Sequence, residues 1–245
     1  MNQSQFGLIG RNISYSFSQA YFTEKFKLLG RSDLSYINYD IQDLDLEFKP
    51  VLTTSNLKGL NVTIPYKKAV IPFLDGLDPI AEKIGAVNTI KIQDGKKIGY
   101  NTDAPGFKDS LKVVLPKGSP SALIFGTGGA AQAVAFALED LKIPYAFVSR
   151  NSGDGVLSYA SLMKEGFGSA SILINCTPIG TFPNIDQKLE LPYSGINDDF
   201  LLFDLIYNPE ITSFLAEGQK RGAVVKNGYE MLKNQAELAW EIWNK

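Results

Sequence analysis

The chain has 245 residues, of which 44% are hydrophobic and 20% are charged, enough to bury one or two full cores. Its 24 basic and 26 acidic residues nearly balance, which argues against nucleic acid or an anionic membrane surface as a partner. The first residues lack a basic signal-peptide start, and no uncharged run of about 18 residues predicts a membrane span. One cysteine, Cys176, and no histidine predict a cytoplasmic protein without a metal, and exclude a Ser-His-Asp triad.

The first part of the chain alternates short apolar runs with helical patterns, which is typical of an α/β protein with parallel sheets and covering helices. Strands are predicted near residues 6–9, 35–40, 57–62, 86–92 and 97–100. A helix is predicted over residues 19–29, because its apolar side chains recur at helical spacing.

A second series of short, nearly all-apolar strands is predicted at residues 121–125, 146–148, 172–175, 201–204 and 223–225. Such strands are buried on both faces, as in a doubly wound sheet. The turn-rich segment 115–120 separates the two series, and the crossover is placed in a helix predicted to begin at Asp103. A last amphipathic helix is predicted over residues 231–243.

A glycine-rich turn follows the first strand of the second series. Gly126-Thr127-Gly128-Gly129-Ala130-Ala131 runs into an apolar helix, and another apolar strand follows at the distance expected for a βαβ unit. The first two glycines permit a tight turn and close approach to a pyrophosphate, which the helix N-terminus can bind. The pattern predicts a dinucleotide site; the alternative is a plain βα turn.

The residues after the next strand predict which dinucleotide binds. An NAD enzyme places Asp or Glu here, whereas this chain has Ser149-Arg150-Asn151-Ser152. A guanidinium attracts a 2′-phosphate, so Arg150 favours NADP, with neutral hydrogen bonds from its neighbours and partial opposition from Asp154. The alternative is an ordinary exposed arginine.

Three segments of the first part bring polar groups to predicted strand ends, where open α/β sheets bind ligands. They are Asn61-Val62-Thr63-Ile64-Pro65-Tyr66-Lys67, Gly85-Ala86-Val87-Asn88-Thr89 and Asn101-Thr102-Asp103. With Ser16-Phe17-Ser18, these segments make the sequence resemble the shikimate dehydrogenase family. The resemblance spans almost the whole chain in the family's order, through the glycine loop, Asn175-Cys176-Thr177-Pro178-Ile179-Gly180, Tyr207 and residues 228–235.

The resemblance implies an N-terminal α/β substrate domain of residues 1–103 and 228–245, and a doubly wound, Rossmann-type NADP domain of residues 104–227. The last helix, with Gln235, returns to the first domain. The implied reaction is the reversible NADPH-dependent reduction of 3-dehydroshikimate to shikimate in chorismate and aromatic amino acid biosynthesis. The chain is expected to act as a monomer or homodimer.

The resemblance also implies the site residues. Lys67 and Asp103 are the implied catalytic pair. The implied ligands of the substrate are Ser16 and Ser18 at its carboxylate, Thr63, Asn88 and Gln235 at its hydroxyls, and Tyr207 near its carboxylate end. The implied cofactor-binding residues are Gly126, Gly128, Gly129, Ala130, Ser149, Arg150, Thr177 and Gly228.

Ketone reduction needs a proton donor at the carbonyl oxygen, which supports the implied pair. Lys67 can polarise that oxygen and donate the proton, and Asp103 can orient both lysine and hydroxyl. Each residue also has a structural alternative: Lys67 as a solvated surface group, Asp103, Ser16 and Ser18 as helix caps, and Asn88 as a turn residue.

The chain departs from the family's pattern at Tyr15, Phe17 and Gln19, where the family usually has His, Lys and Pro. It also has one arginine in the adenosine segment where NADP-preferring members often have two. Two alternatives to the implied function are a quinate/shikimate dehydrogenase using NAD and a non-catalytic module that binds NADP or shikimate. The presence of both Lys67 and Asp103 favours an enzyme.

Overall fold

A computed structural model describes residues 3–14, 16–150, 153 and 155–245. Tyr15, Asn151, Ser152 and Asp154, which entered the sequence predictions, lie outside the described residues. The chain divides into two compact units: Met1–Thr102 with Ala236–Lys245, and Asp103–Gln235. Within the described ranges, no helix is both long and apolar enough to cross a lipid bilayer.

The first unit contains a six-stranded sheet and three helices, and the end of the last helix packs on it. Its strands are β1 Ser4–Gly10, β2 Leu34–Asp40, β3 Leu57–Val62, β4 Gly76–Leu77, β5 Thr89–Gln93 and β6 Lys96–Tyr100. Its helices are α1 Phe17–Leu28, α2 Leu44–Leu52 and α3 Pro79–Ile84.

The sheet of the first unit is mixed rather than parallel. Its order is β2-β1-β3-β5-β6-β4, and β5 runs antiparallel to both β3 and β6. The cause is a tight hairpin: Asp94 and Gly95 have φ values of 52° and 77° and join β5 directly to β6. An Asp-Gly pair with positive φ at both positions is a preferred two-residue hairpin turn.

Both faces of this sheet are buried. One face packs Ile9, Leu60 and Val62 with helix α2, and the other packs Phe6, Leu8 and the last helix. The indole N–H of Trp243 donates to the Ile90 carbonyl at 3.0 Å. Gly59 lies under this ring, where a Cβ would come within 2.2 Å of the indole nitrogen.

The second unit contains a six-stranded parallel sheet with helices. Its strands are β7 Ser121–Phe125, β8 Tyr145–Ser149, β9 Val156–Ser158, β10 Ala170–Asn175, β11 Leu201–Asp204 and β12 Val224–Lys226. Its helices are α4 Asp103–Lys112, α5 Gly129–Asp140, α6 Tyr159–Glu165, α7 Ser213–Gln219 and the start of α8 Tyr229–Asn244.

The order of this sheet, β9-β8-β7-β10-β11-β12, is the doubly wound dinucleotide-binding order, with the reversal between β7 and β10. Its central strands bury both faces: Ile124, Ile174 and Phe203 contribute to one core. The neighbouring residues Leu173 and Leu202 contribute to the other. The predicted α/β class with a Rossmann-type second half is confirmed.

The last helix, α8, spans the boundary between the two compact units. Residues 228–235 group with the second unit rather than the first, because Met231 packs in its core and Gly106 of α4 lies against the Gln235 backbone. Ala236, Ala239 and Trp243 pack in the first unit. Helix α8 therefore contributes to both cores.

Candidate active site

Three polar segments of the first unit meet at one edge of its sheet. Asn61 near the end of β3 pairs with Thr89 at the start of β5, and Thr89 pairs with Tyr100 at the end of β6. Because β5 is antiparallel, its beginning lies beside the carboxyl ends of its neighbours. The segments containing Asn61, Asn88 and Thr102 are thereby brought together.

A buried hydrogen-bond network joins these segments. Asn88, only 2% exposed, accepts from the Thr102 N–H at 2.7 Å and donates to Thr102 Oγ1 at 2.9 Å. Asn61 Nδ2 donates to Thr89 Oγ1 at 3.3 Å, while Asn61 Oδ1 accepts from the Tyr36 hydroxyl at 2.7 Å. Asn88 therefore has a structural role: it joins the segment before β5 to the segment after β6.

Lys67 lies on a turn whose backbone is held on both sides. The Thr63 N–H donates to Ile9 O at 2.9 Å, and the Val87 N–H donates to Lys67 O at 2.7 Å. Between them, the buried Tyr66 donates its hydroxyl to Ile41 O at 2.6 Å. The Lys67 side chain is half-buried, and these backbone hydrogen bonds hold its turn beside β1 and the segment before Asn88.

Ser16 and Ser18 lie at the start of α1. Ser16 is the N-cap, and its hydroxyl accepts from the Ser18 N–H at 3.2 Å. Ser18 is buried and lies close to the Tyr36 hydroxyl. The capping alternative is thus correct for Ser16. It is compatible with carboxylate binding, because a helix N-terminus and its cap hydroxyl both favour an anion.

The remaining predicted residues of the substrate site are placed on separate elements. Thr63 is half-buried beside Gly10, where a Cβ would come within 2.5 Å of Thr63 Cγ2. Asp103 is buried and is the first residue of α4. Gln235 is half-buried on α8 and donates to Leu232 O at 3.1 Å.

The glycine loop lies where the strand order of the second unit reverses. Gly126 has a φ of 105°, a left-handed conformation that favours glycine, and its N–H donates to Val148 O at 2.9 Å. A Cβ on Gly126 would lie 3.3 Å from Thr177 Cγ2, so the turn passes close to the loop after β10. Gly128 is exposed and faces open space.

Helix α5 begins in a way that suits a phosphate. Five other helices have a side-chain N-cap, provided by Ser16, Asp43, Asp78, Ser158 and Thr212. Helix α5 starts after Gly128, which supplies no side-chain hydrogen bond, and continues through Gly129 and Ala130. Its first N–H groups are therefore available to phosphate oxygens.

Ser149 and Arg150 lie at the end of β8. Ser149 pairs with Ser158 of β9, and Arg150 is exposed. Burial raises the pKa of Tyr159, and the nearby positive charge of Arg150 opposes that rise. Arg150 is thus beside α6 at the carboxyl edge of the parallel sheet.

A second buried network lies under the loops after β10 and β11. Asn175 Oδ1 accepts from the N–H and hydroxyl of Thr177 at 3.0 and 2.7 Å. Asn175 Nδ2 donates to Asp204 Oδ1 at 3.1 Å, and Asp204 Oδ2 accepts from the Thr212 hydroxyl at 2.6 Å. Sequence reasoning missed Asp204 and Thr212, although a lone carboxylate ending an all-apolar strand was a signal.

Tyr207 and Gly228 lie near this network. Asp204 also accepts from the Ile206 N–H at 3.0 Å, directly before the half-buried Tyr207. Gly228 donates its N–H to Ile206 O at 3.0 Å, and a Cβ there would come within 2.1 Å of Leu205 O. This close backbone approach explains why residue 228 is a glycine. Its cofactor role stays a prediction.

In the described part of the chain, no group of three or more His, Cys, Asp or Glu side chains is arranged to hold a metal ion. The described geometry instead provides a glycine loop with an uncapped helix start, and a polar sheet edge carrying a lysine. These features define an α/β protein with a Rossmann-type dinucleotide-binding unit and a separate α/β unit.

Comparison with known proteins narrows this class. Residues 8–90 match the family model for the shikimate dehydrogenase substrate binding domain. A shikimate dehydrogenase (NADP+) of Desulforamulus reducens is 37% identical over 97% of this chain and 88% of its own length. The chain belongs to the shikimate dehydrogenase family, in agreement with the resemblance seen in the sequence.

Solved structures agree with this assignment. Shikimate 5-dehydrogenase from Thermus thermophilus, in complex with NADP(H) and shikimate, aligns with a TM-score of 0.86 at 32% identity, covering 98% of this chain and 93% of that one. Quinate dehydrogenase from Corynebacterium glutamicum, in complex with NAD, aligns with a TM-score of 0.85 at 26% identity and the same coverages.

Proposed function

We propose that this protein is an NADP-dependent oxidoreductase that interconverts 3-dehydroshikimate and shikimate, a step in the biosynthesis of chorismate and aromatic amino acids. The observation that carries the proposal is the glycine loop at the uncapped start of α5, in a chain that also holds the Asn61–Lys67 turn. A relative covering 97% of the chain is named shikimate dehydrogenase (NADP+).

The second unit fits a dinucleotide. Gly126, Gly128, Gly129 and Ala130 would hold its pyrophosphate, since this turn has a left-handed glycine and exposed N–H groups. Thr177 lies against Gly126 and would border the same site. When bound, NADPH supplies the hydride for the carbonyl carbon.

Arg150 would select the phosphorylated cofactor. It follows β8 at the position where an acid would hold a ribose hydroxyl, it is exposed, and Ser149 precedes it. A guanidinium forms charge-assisted hydrogen bonds with phosphate, whereas an acid would repel it. NADP is therefore the proposed cofactor.

The polar edge of the first unit would bind the substrate. Ser16 and Ser18 would hold the carboxylate at the start of α1, with Tyr207 near the same end. Thr63, Asn88 and Gln235 would contact the ring hydroxyls. Hydrogen bonds to a charged carboxylate contribute roughly 1.5 to 3 kcal/mol each, enough to orient a small anionic substrate.

Lys67 and Asp103 would carry the proton chemistry. The Lys67 ammonium would donate to the substrate oxygen as the ketone becomes an alcohol, and Asp103 would orient the lysine and the hydroxyl. In the reverse direction the same lysine, deprotonated, would take the hydroxyl proton. A chain without histidine has few other groups suited to this step.

The test is an absorbance assay at the wavelength of NADPH. Purified protein mixed with shikimate and NADP should form NADPH and 3-dehydroshikimate, and the reverse mixture should consume NADPH. Binding of both compounds without turnover would indicate the non-catalytic module instead. Faster turnover of quinate with NAD would place the chain with the quinate-oxidising members of the family.

Location and assembly belong to the same proposal. An enzyme that uses NADPH for biosynthesis is expected in the cytoplasm, and its proposed partners are its small-molecule substrate and cofactor. A monomer or homodimer is proposed, which light scattering of the purified protein would distinguish.

A further inference from the structure

Asp204 is a carboxylate with no exposed surface at the end of β11. It accepts hydrogen bonds from Asn175, Thr212 and the Ile206 N–H, and the side chains of Asn175 and Thr212 are also fully buried. Burial of a carboxylate is unfavourable unless its oxygens are well paired, and apolar side chains at such a place are often more stable. The network therefore needs an explanation other than core stability.

The network connects the loops after β10 and β11, and the first of these loops lies beside the point where the strand order reverses. Through Asn175 it holds the N–H and hydroxyl of Thr177, which lies beside Gly126 of the glycine loop. Through the Ile206 N–H it holds the residue before Tyr207. One buried carboxylate thus fixes both the loop assigned to the cofactor and the loop assigned to the substrate carboxylate.

Thr212 completes the arrangement. Its hydroxyl donates to Asp204 Oδ2 and accepts from the Leu215 N–H at 3.3 Å as the N-cap of α7. The loop between β11 and α7, which contains Tyr207, is therefore fixed at both ends by Asp204: at Ile206 and at Thr212.

We propose that Asp204 is a positioning residue that holds Tyr207 and Thr177 in the geometry required to bind substrate and cofactor. The inference rests on the proposed function, because it takes the roles of Tyr207 and Thr177 from it. Because Asp204 is fully buried, it would act through the two loops and not by contact with a ligand. Weakening the network should raise KM values more than it lowers kcat.

The main test compares Thr212→Val with Thr212→Ser. Valine removes the hydroxyl that donates to Asp204, whereas serine keeps it. We expect Thr212→Val to raise the KM for shikimate about tenfold, as for the loss of one well-formed hydrogen bond, with kcat within about twofold. Thr212→Ser should restore the parent KM.

A matched control separates positioning from general destabilisation. Asp43 is the N-cap of α2 in the first unit and accepts from the Asp45 and Leu46 N–H groups. Asp43→Ala removes a helix cap, as Thr212→Val does. It should lower Tm without changing the KM for shikimate or the KM for NADP. An equal rise in KM in Asp43→Ala would overturn the proposal.

Asp204→Asn keeps the proposal testable if Thr212→Val does not fold. Asparagine retains one acceptor for Ile206 and Asn175 and directs an amide at Thr212, so the fold should survive with a weaker hold on both loops. We expect a KM for shikimate about threefold above the parent. Parent activity with unchanged KM in Asp204→Asn and Thr212→Val would refute the positioning role, whereas an inactive parent would refute the proposed function.

Discussion

Asn88 holds Thr102 through two hydrogen bonds, one accepted from the Thr102 backbone at 2.7 Å and one donated to its hydroxyl at 2.9 Å. Thr102 directly precedes Asp103, so this pair fixes the chain where α4 begins. Asn88→Ala would leave a buried N–H without its acceptor. We expect it to lower the free energy of unfolding by roughly 1 to 3 kcal/mol and to reduce kcat/KM.

The control for this prediction is Ser110→Ala. Ser110 is fully buried in α4, and its hydroxyl has no hydrogen-bond partner among the described residues. Removing it should leave the unfolding midpoint in urea unchanged or slightly higher. If Asn88→Ala were as stable as Ser110→Ala, the Asn88–Thr102 pair would not hold the start of α4.

Sequence patterns predicted the second unit more completely than the first. Its central strands are buried on both faces, so an all-apolar run marks each of them, and Ile124 and Ile174 lie where predicted. The mixed first sheet was missed because strand direction is set by the short β5–β6 connection rather than by hydrophobicity. Asp94-Gly95 was the available signal.

The candidate site was predictable where motif residues end strands. Asn61, Asn88 and Thr102 converge because β5 reverses direction, which the motifs alone do not specify. The place of Asp204 at the end of an all-apolar strand was a signal, but its hydrogen bonds to Asn175 and Thr212 were not predictable, since no local pattern encodes bonds between separate elements. Gly228 similarly reflects close approach to Leu205, which only the folded chain shows.

Lys67→Ala should lower kcat by roughly 10²- to 10⁴-fold while leaving shikimate affinity largely unchanged, because positioned acid-base catalysis contributes about that much. Lys68→Ala is the matched control, since Lys68 is the adjacent, exposed lysine on the same turn. Steady-state kinetics of both variants tests the assignment. A Lys67→Ala enzyme with near-parent kcat would remove Lys67 from the proton step.

Ser16→Gly should raise the KM for shikimate with little loss of stability. Glycine replaces serine at an N-cap at a cost of only a few tenths of a kcal/mol, whereas alanine costs about 1 kcal/mol. Ser16→Gly therefore removes the proposed carboxylate ligand and nearly keeps the start of α1. If the KM of Ser16→Gly for shikimate equals that of the parent, and Ser16→Ala has a lower Tm, then Ser16 only caps the helix.

Asp204→Asn should become more stable relative to the parent as pH rises. Burial raises the pKa of Asp204 from 3.8 to about 6, so the folded protein favours its protonated form. The free energy of unfolding of the parent is therefore highest below the ordinary pKa of 3.8 and falls by roughly 3 kcal/mol as pH rises through about 6. Asparagine does not titrate, so the variant does not undergo this loss. Tm of variant and parent across this range is the measurement; parallel curves would contradict the prediction.

Arg150→Ala should reduce the preference for NADP over NAD by about tenfold, since one exposed charge-assisted contact is partly screened by solvent. Lys164→Ala, which removes an exposed positive charge from the same unit, should leave the preference unchanged. The ratio of kcat/KM values for the two cofactors is measured at saturating shikimate. An unchanged ratio in Arg150→Ala would mean that another group selects the cofactor.

The proposed activity is tested most directly by kcat/KM of the parent protein for shikimate and quinate, each with NADP and NAD, followed by NADPH or NADH absorbance. The account predicts that shikimate with NADP is the fastest pair and that quinate with NAD is turned over poorly or not at all. No turnover of shikimate with NADP, or a higher kcat/KM for quinate with NAD, would contradict it.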